Sequence, residues 1–337
     1  MDGFLPTYLE ERMKVLAREC ILELPVSISI AELTVEFEAE LIRQGLLGGI
    51  CHLLITQAGA VELPEEILEW ARGHFRGQFF QAASFHALLK KLDQGLARRG
   101  IYVLLLKGAH LSVSHYPVLG TRHLSDVDIY VPDRNWSDMV AAVLAECGLT
   151  PPSGLGTWQD ELGRQVDVHT PDDEIVEAGL MDLRLAVERS ELLPGYSHLK
   201  GMGHEDLTTY VSLHALKHGF CKLGWLWDLE RLDATRSGTP LPPRARAYIA
   251  YVMNEAFRLG GERPRLSWWE RALLRRMLKH PYSGLGQVML SLAMKSRVQM
   301  LVFLIRSALF DNFGNRKSFR LKGLRAKVRN IFTALWS

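Results

Sequence analysis

Apolar residues recur along this chain at two different periods, and the change from one to the other divides it. From 83 to 99, Phe85, Leu88, Leu89, Leu92 and Leu96 return at helical spacing and Gly100 offers a stop. The same period predicts helices at 33–44, 49–58 and 64–76, the last opened by Pro64. At Ile101 the pattern shifts. Residues 102–106 form an apolar run of strand length, and 128–131 and 164–169 continue with period-two alternation. The segments 157–162 and 164–169 bracket Gly163, which predicts a hairpin. A short amphipathic helix beginning near Ala109 and a longer one at 135–147, stopped by Gly148, fall between these strands.

After Pro194-Gly195 the helical period returns at 205–219 and again around Trp225, Trp227 and Asp228. The run from Gly238 to Pro243 is the best internal break; helices at 244–259 and 268–279 follow, the second introduced by Ser267 and Glu270 in capping-box spacing. The expected organisation is therefore a helical region over 1–99, a core over 100–195 with a small mixed sheet carrying helices on one side, and a helical region over 196–337.

Composition changes this picture little. The chain has 337 residues, 47% hydrophobic and 23% charged, which is the balance of a globular protein with a substantial core. Its net charge of +2 implies no global electrostatic partner. Four scattered cysteines form no C-x-x-C pair, which argues against a zinc ribbon or disulfide scaffold and fits a reducing compartment. The first residues lack the basic-then-apolar order of a signal peptide, and the apolar stretch 298–305 is too short to span a bilayer. A cytoplasmic location is the expectation.

The candidate chemistry sits between 104 and 131. In a strand, Asp126 and Asp128 project to one face and Val127 and Ile129 to the other. A D-x-D pair is common by chance, and two solvated aspartates at a strand start is the plain reading. A third carboxylate in a matching context changes the balance: Asp167 and His169 alternate against Val166 and Val168. If the two strands are neighbours, three aspartates converge on a cleft and can bind a divalent cation. Lys107 and Arg122 each lie near a glycine at an expected strand-to-loop transition and are candidate phosphate binders. Gly108 would let the backbone approach a phosphate, with the amides of the following helix aimed at the same anion.

The ordered set Leu106-Lys107-Gly108, Tyr116, Gly120-x-Arg122, Asp126-x-Asp128-Ile129 and Val166-Asp167-Val168-His169, followed by His214-x-x-x-His218, Trp225 and Asp228, resembles the uncharacterised nucleotidyltransferase family of the polymerase-beta-like nucleotidyltransferase superfamily. The wider superfamily opens its site with Gly-Ser; here Lys107-Gly108 stands in that place. The resemblance implies an α+β nucleotidyltransferase core. It also implies Mg²⁺-dependent transfer, with Mn²⁺ as the alternative ion, of a nucleoside monophosphate from a nucleoside triphosphate such as ATP to an acceptor hydroxyl or phosphate. Asp126, Asp128 and Asp167 would hold the metal, and Asp167 would orient or deprotonate the acceptor. Lys107, Gly108, Arg122, His169, His214, Lys217 and His218 would surround the nucleotide.

Several of these residues have plainer readings. His169 can act one step removed, by hydrogen-bonding a metal-binding carboxylate. His214 and His218, four apart on one helical face, can equally be packing residues, and they lack the glutamate and third ligand of a zinc hydrolase. One of the two tryptophans is a candidate for stacking on a base, helix packing being the commoner use.

The last segment is distinct. After Asp311 there is no acid, while basic residues from Arg316 to Arg329 accompany an apolar stripe from Leu321 to Leu335. This basic amphipathic pattern over 316–335 fits docking on the protein's own body, a protein partner or an anionic membrane surface; nucleic acid is the weaker fit, since few aromatics interleave the charges. The acceptor is expected to be a small molecule, peptide or protein. Transfer to RNA, as by toxin-like enzymes, and a non-catalytic scaffold recruited through this tail are the alternatives.

Overall fold

The computed structural model of the chain describes residues 7–22, 24–151, 157–171, 181, 183–234, 241–257 and 264–279, with Met289 and Ala293. The basic segment 316–335 and the apolar stretch 298–305 lie outside the described residues.

Helices α1 (Thr7–Ile21), α2 (Val35–Gln44), α3 (Leu47–Gln57) and α4 (Glu65–Arg99) come first. Thr34 caps α2 by accepting from the Phe37 amide, and Gly45 ends it at a φ of 71°, a left-handed conformation that costs glycine little. The two helices expected at 64–76 and 83–99 are one helix of 35 residues, about 52 Å long at the usual rise. Gly73 and Gly77 lie inside it on the solvent side, where a glycine weakens a helix without breaking it. Gly100, at a φ of 64°, provides the expected stop.

The sheet follows. Strand β1 (Val103–Leu105) leads into helix α5 (Lys107–Ser114); β2 (Asp126–Tyr130) leads through a short turn into α6 (Ser137–Glu146). Strands β3 (Trp158–Gln159) and β4 (Gln165–His169) form the expected antiparallel hairpin, β3 being shorter than its alternation suggested. Then come α7 (Leu183–Glu188), β5 (Glu191–Leu192), β6 (Leu199–Gly201), α8 (His204–Lys217), α9 (Leu223–Arg231), α10 (Pro243–Phe257) and α11 (Trp268–Lys279). The spatial order is β3-β4-β2-β1-β6-β5, with β2/β4 and β1/β6 parallel and the other pairs antiparallel. The fold is α+β with a mixed six-stranded sheet, and the sheet runs across position 195, since β6 pairs with β1.

The expectation of helices on one side is corrected by the packing. Val103, Leu105, Val127, Ile129 and Val131 join the second half of α4 and helix α6 in one apolar cluster. Leu104, Leu106 and Tyr130, from the opposite face, join a larger cluster built from α1, α2, α3 and α8 to α11. Both faces of the central strands are thus apolar over part of their length, which is why β1 reads as a continuous apolar run rather than an alternation. Burying each of Val127 and Ile129 completely contributes about 1.5–3 kcal/mol. Asp93 on α4 ties the start of β6 to this scaffold by accepting from the amides of Ser197, His198 and Leu199. Burial would raise its carboxyl, but these bonds hold it below the usual range. The Ser267–Glu270 capping box forms as expected, and Glu270 also accepts from Tyr248 Oη at 2.8 Å.

Among the described residues, no helix is long and apolar enough to cross a membrane.

Candidate active site

Strand alternation on β2 sends Val127 and Ile129 into the α4–α6 cluster and leaves Asp126 and Asp128 on the other face. Parallel pairing sets Asp128 opposite Asp167 and Tyr130 opposite His169. The two strands are neighbours, as the expectation required, and the sheet puts all three aspartates on one wall of a cleft of about 320 Å³.

The carboxylates differ in surroundings. Asp128 is 5% exposed, and its Oδ1 accepts from Lys107 Nζ at 2.7 Å and is bonded to His169 Nε2 at 2.9 Å. Burial by itself would push the Asp128 carboxyl up; the His169 bond and the Lys107 ammonium outweigh it and hold the group at about 2. Asp126 is half-buried and accepts from Ser125 Oγ at 2.9 Å, and Asp167 accepts from Thr157 Oγ1. Lys107 has a φ of 43°, a left-handed conformation unusual for a residue with a side chain, and its neighbour Gly108 opens the first turn of α5 against the cleft.

Arg122 lines the cleft but is committed elsewhere. Its Nε and Nη2 donate to the two oxygens of Asp228 at 2.9 and 2.8 Å, and Tyr116 Oη donates to Asp228 Oδ1 at 2.8 Å. Burial disfavours its charge, yet the Asp228 carboxylate overcompensates and raises its pKa. A Cβ on Gly108 would lie 2.5 Å from Arg122 Nη1. The glycine therefore makes room for this guanidinium, which was not the reason expected of it. Gly120 has a φ of 90°, and a Cβ there would come within 2.7 Å of the Phe79 amide nitrogen, so both the conformation and the approach to α4 require glycine.

The facing wall comes from α8 and α9. His214 and His218 line it with ring centroids 4.6 Å apart, and Trp225 meets them at 5.2 and 5.7 Å. Lys217, on the same helix, is not among the lining residues. Trp225 and Trp227 both border the cleft, but Trp227 is buried, in a T-shaped contact with Tyr116. Among the described residues no third metal-binding side chain joins the histidine pair, so the zinc reading has no ligand set.

The residues missed by the sequence reading are Lys222, His123, Ser125, Thr157 and Gln44. Lys222 brings a second lysine to the cleft, 5.7 Å from the Trp225 ring centroid. His123 is pushed down to about 4 by burial and by its cationic neighbours Lys222 and Arg122. Ser125 and Thr157 each sit beside a candidate residue in the chain or on the hairpin, a signal that was available; Gln44 and Lys222 carried none, because they reach the cleft only through helix packing.

Whether these side chains suit a divalent ion depends on donor chemistry. Three carboxylates on one wall are the hard oxygen donors that Mg²⁺ and Mn²⁺ take. Among the described residues no three such groups are gathered tightly enough to enclose an ion, and the Lys107 ammonium holds Asp128. Mg²⁺ is commonly bound by one or two carboxylates together with substrate phosphates rather than by a protein cage, so the donors fit.

The mixed sheet thus presents aspartates from two parallel neighbours beside a strand–Lys-Gly–helix turn. The sequence profile of the uncharacterised nucleotidyltransferase family matches residues 36–241, and the chain belongs to that family. Comparison with curated proteins and with solved structures finds no match.

Proposed function

We propose that the protein transfers a nucleoside monophosphate from a nucleoside triphosphate to an acceptor hydroxyl or phosphate on a small molecule, peptide or protein, in a Mg²⁺-dependent reaction that releases pyrophosphate. The observation that carries this reading is the register: Asp128 stands opposite Asp167, Asp126 shares their face, and all three line one cleft with Lys107 and Lys222.

The acceptor oxygen attacks the α-phosphorus, its new P–O bond forming as the bond to the β-phosphate bridging oxygen breaks. Asp167 takes the acceptor proton, and the electron pair of the broken bond leaves on pyrophosphate. Asp126, Asp128 and Asp167 would hold the metal, which supplies charge neutralisation at the phosphates. Lys107 lies within reach of the same oxygens, and transfer of its ammonium from Asp128 to the triphosphate would free that carboxylate. The amides opening α5 aim at the same anion. Trp225, with His214 and His218 against it, offers the cleft's flat aromatic surface to a base. Catalysis then rests on positioning and on charge placed in advance.

The test is thermal unfolding with each of the four ribonucleoside triphosphates, with and without Mg²⁺, followed by an assay of pyrophosphate release with candidate acceptors. Ligand that binds only the native state raises the midpoint. We expect one or more triphosphates to stabilise the wild type in the presence of Mg²⁺, and Asp126→Asn to lose both that effect and pyrophosphate release while unfolding near the wild-type midpoint. Equal responses in both proteins, or none at millimolar ligand, would overturn the reading.

A further inference from the structure

A second cavity, of about 410 Å³, lies behind Trp227, whose ring also borders the aspartate cleft. Its wall is formed by α3, by the turn after it, by the segment following α1 and by the start of α9's exit, and it includes Leu24, Pro25, Leu53 and Val61 as apolar surface. The polar side chains on it are His52, Thr56, Gln57, Thr121 and Arg231. Arg231, at the end of α9, stands over the rings of Tyr116 and Trp227 at 4.9 and 5.5 Å from their centroids. No carboxylate pairs with it among the described residues, and no aspartate or glutamate lines the cavity. Thr121 is 5% exposed, lines the same cavity, and has a buried Oγ1 with no hydrogen-bond partner. His52, on the α3 wall, is held toward its neutral form by burial and then by Arg231.

A buried hydroxyl without a partner is costly, and Arg231, exposed beside the rings of Tyr116 and Trp227, is open to pairing with an anion. A carboxylate or phosphate would give the Thr121 hydroxyl an acceptor and the Arg231 guanidinium a counter-ion. Leu24, Pro25, Leu53 and Val61 make the apolar part of the wall and would take a hydrocarbon body, the usual division of a small-molecule site. We infer that the cavity behind Trp227 is a binding site for a small amphiphile with a carboxylate or phosphate head group, the head at Arg231 and Thr121 and the apolar body against Leu24, Leu53 and Val61. The site is separate from the carboxylate wall of the cleft and shares Trp227 with it. Its occupancy does not depend on the transfer reaction.

The experiment is isothermal titration of the full chain with octanoate, octyl phosphate, inorganic phosphate and octyltrimethylammonium. Wild type is compared with Arg231→Gln, with Ala60→Trp, which fills the cavity from its exposed rim, and with Asp126→Asn. Each variant is first checked for cooperative unfolding. We expect octanoate or octyl phosphate to bind the wild type and Asp126→Asn alike, and to bind Arg231→Gln and Ala60→Trp roughly tenfold more weakly or not at all. Which of the two binds tighter identifies the head group. Inorganic phosphate binding as tightly as octyl phosphate would overturn the apolar half of the assignment. Equal binding of octyltrimethylammonium, unchanged affinity in both cavity variants, or no binding of either anion at millimolar concentration would overturn the site. Loss of binding in Asp126→Asn would move the ligand to the aspartate cleft and overturn it as well.

Discussion

Asp128 and Asp126 are two residues apart and share a face, yet they are different groups. The sequence suggests two carboxylates facing solvent, where either can be removed at little structural cost. The structure shows this for Asp126 and not for Asp128, which is buried and bonded to both Lys107 and His169. Asp128→Ala would leave Lys107 and His169 without their acceptor; Asp128→Asn keeps an oxygen in place and is the cleaner test of charge. The depressed pKa also has a thermodynamic consequence. Its folded value near 2 lies below the ordinary 3.8, so the unfolded state binds more protons between these values. The stability it gives is fully present above pH 3.8 and is lost as pH falls through 2, about 2 kcal/mol in all. His123, lowered from 6.5 to about 4, acts in a higher window: its contribution is present above 6.5 and is lost as pH falls to 4. Urea unfolding across pH 2–7 should therefore show two declining stretches. Asp128→Asn should make the lower one shallower and His123→Gln the upper, without abolishing either, because Glu270 is also held at about 2, against its burial, by its hydrogen bonds and His110 is pushed down to about 3 by burial. A profile unchanged by either substitution would contradict these assignments.

At the scale of elements, α4 is the support on which the site is built. Its second half packs under the sheet through Phe85, Leu88, Leu89, Leu92 and Leu96, and its middle holds the Gly120 loop at the Phe79 backbone. The apolar period made the second half legible. The join across 73–82 was not legible, because two exposed glycines look like a break and the helical period there weakens. Those glycines yield a simple prediction: a Cβ at Gly73 or Gly77 meets nothing within 4 Å. Gly73→Ala and Gly77→Ala should each stabilise the protein by about 0.5–1 kcal/mol, read as a higher urea midpoint with unchanged slope. Gly120→Ala should do the opposite, since it places a side chain in a left-handed backbone and against Phe79.

For the whole molecule, the connection that matters most runs from the sheet side of the cleft to the helical side. Arg122, which precedes β2, and Tyr116, which follows α5, meet on Asp228 of α9. Asp228 is 1% exposed, so Asp228→Ala leaves a buried guanidinium without its counter-charge and should cost about 3–5 kcal/mol in denaturant unfolding. A loss below the range of a surface ion pair would show that the two halves are joined by apolar packing alone. Tyr116, Arg122 and Asp228 form one hydrogen-bonded unit, and Gly108 leaves space for its guanidinium.

The sequence by itself determined what depends on local spacing: the helical and strand periods, the hairpin at Gly163, the Ser267–Glu270 cap, and the common face of Asp126 and Asp128. Each follows from a repeat of two or 3.6 residues, from a glycine at a turn or from a capping pair three residues apart, which neighbours along the chain are enough to define. Tertiary structure alone decided the pairing of Arg122 with Asp228, the arrival of Lys222 and Gln44 at the cleft, the apolar covering of both sheet faces and the cavity behind Trp227. These join residues far apart in sequence, and a side chain's charge or size records that it needs a partner without recording which distant segment the fold will bring to it.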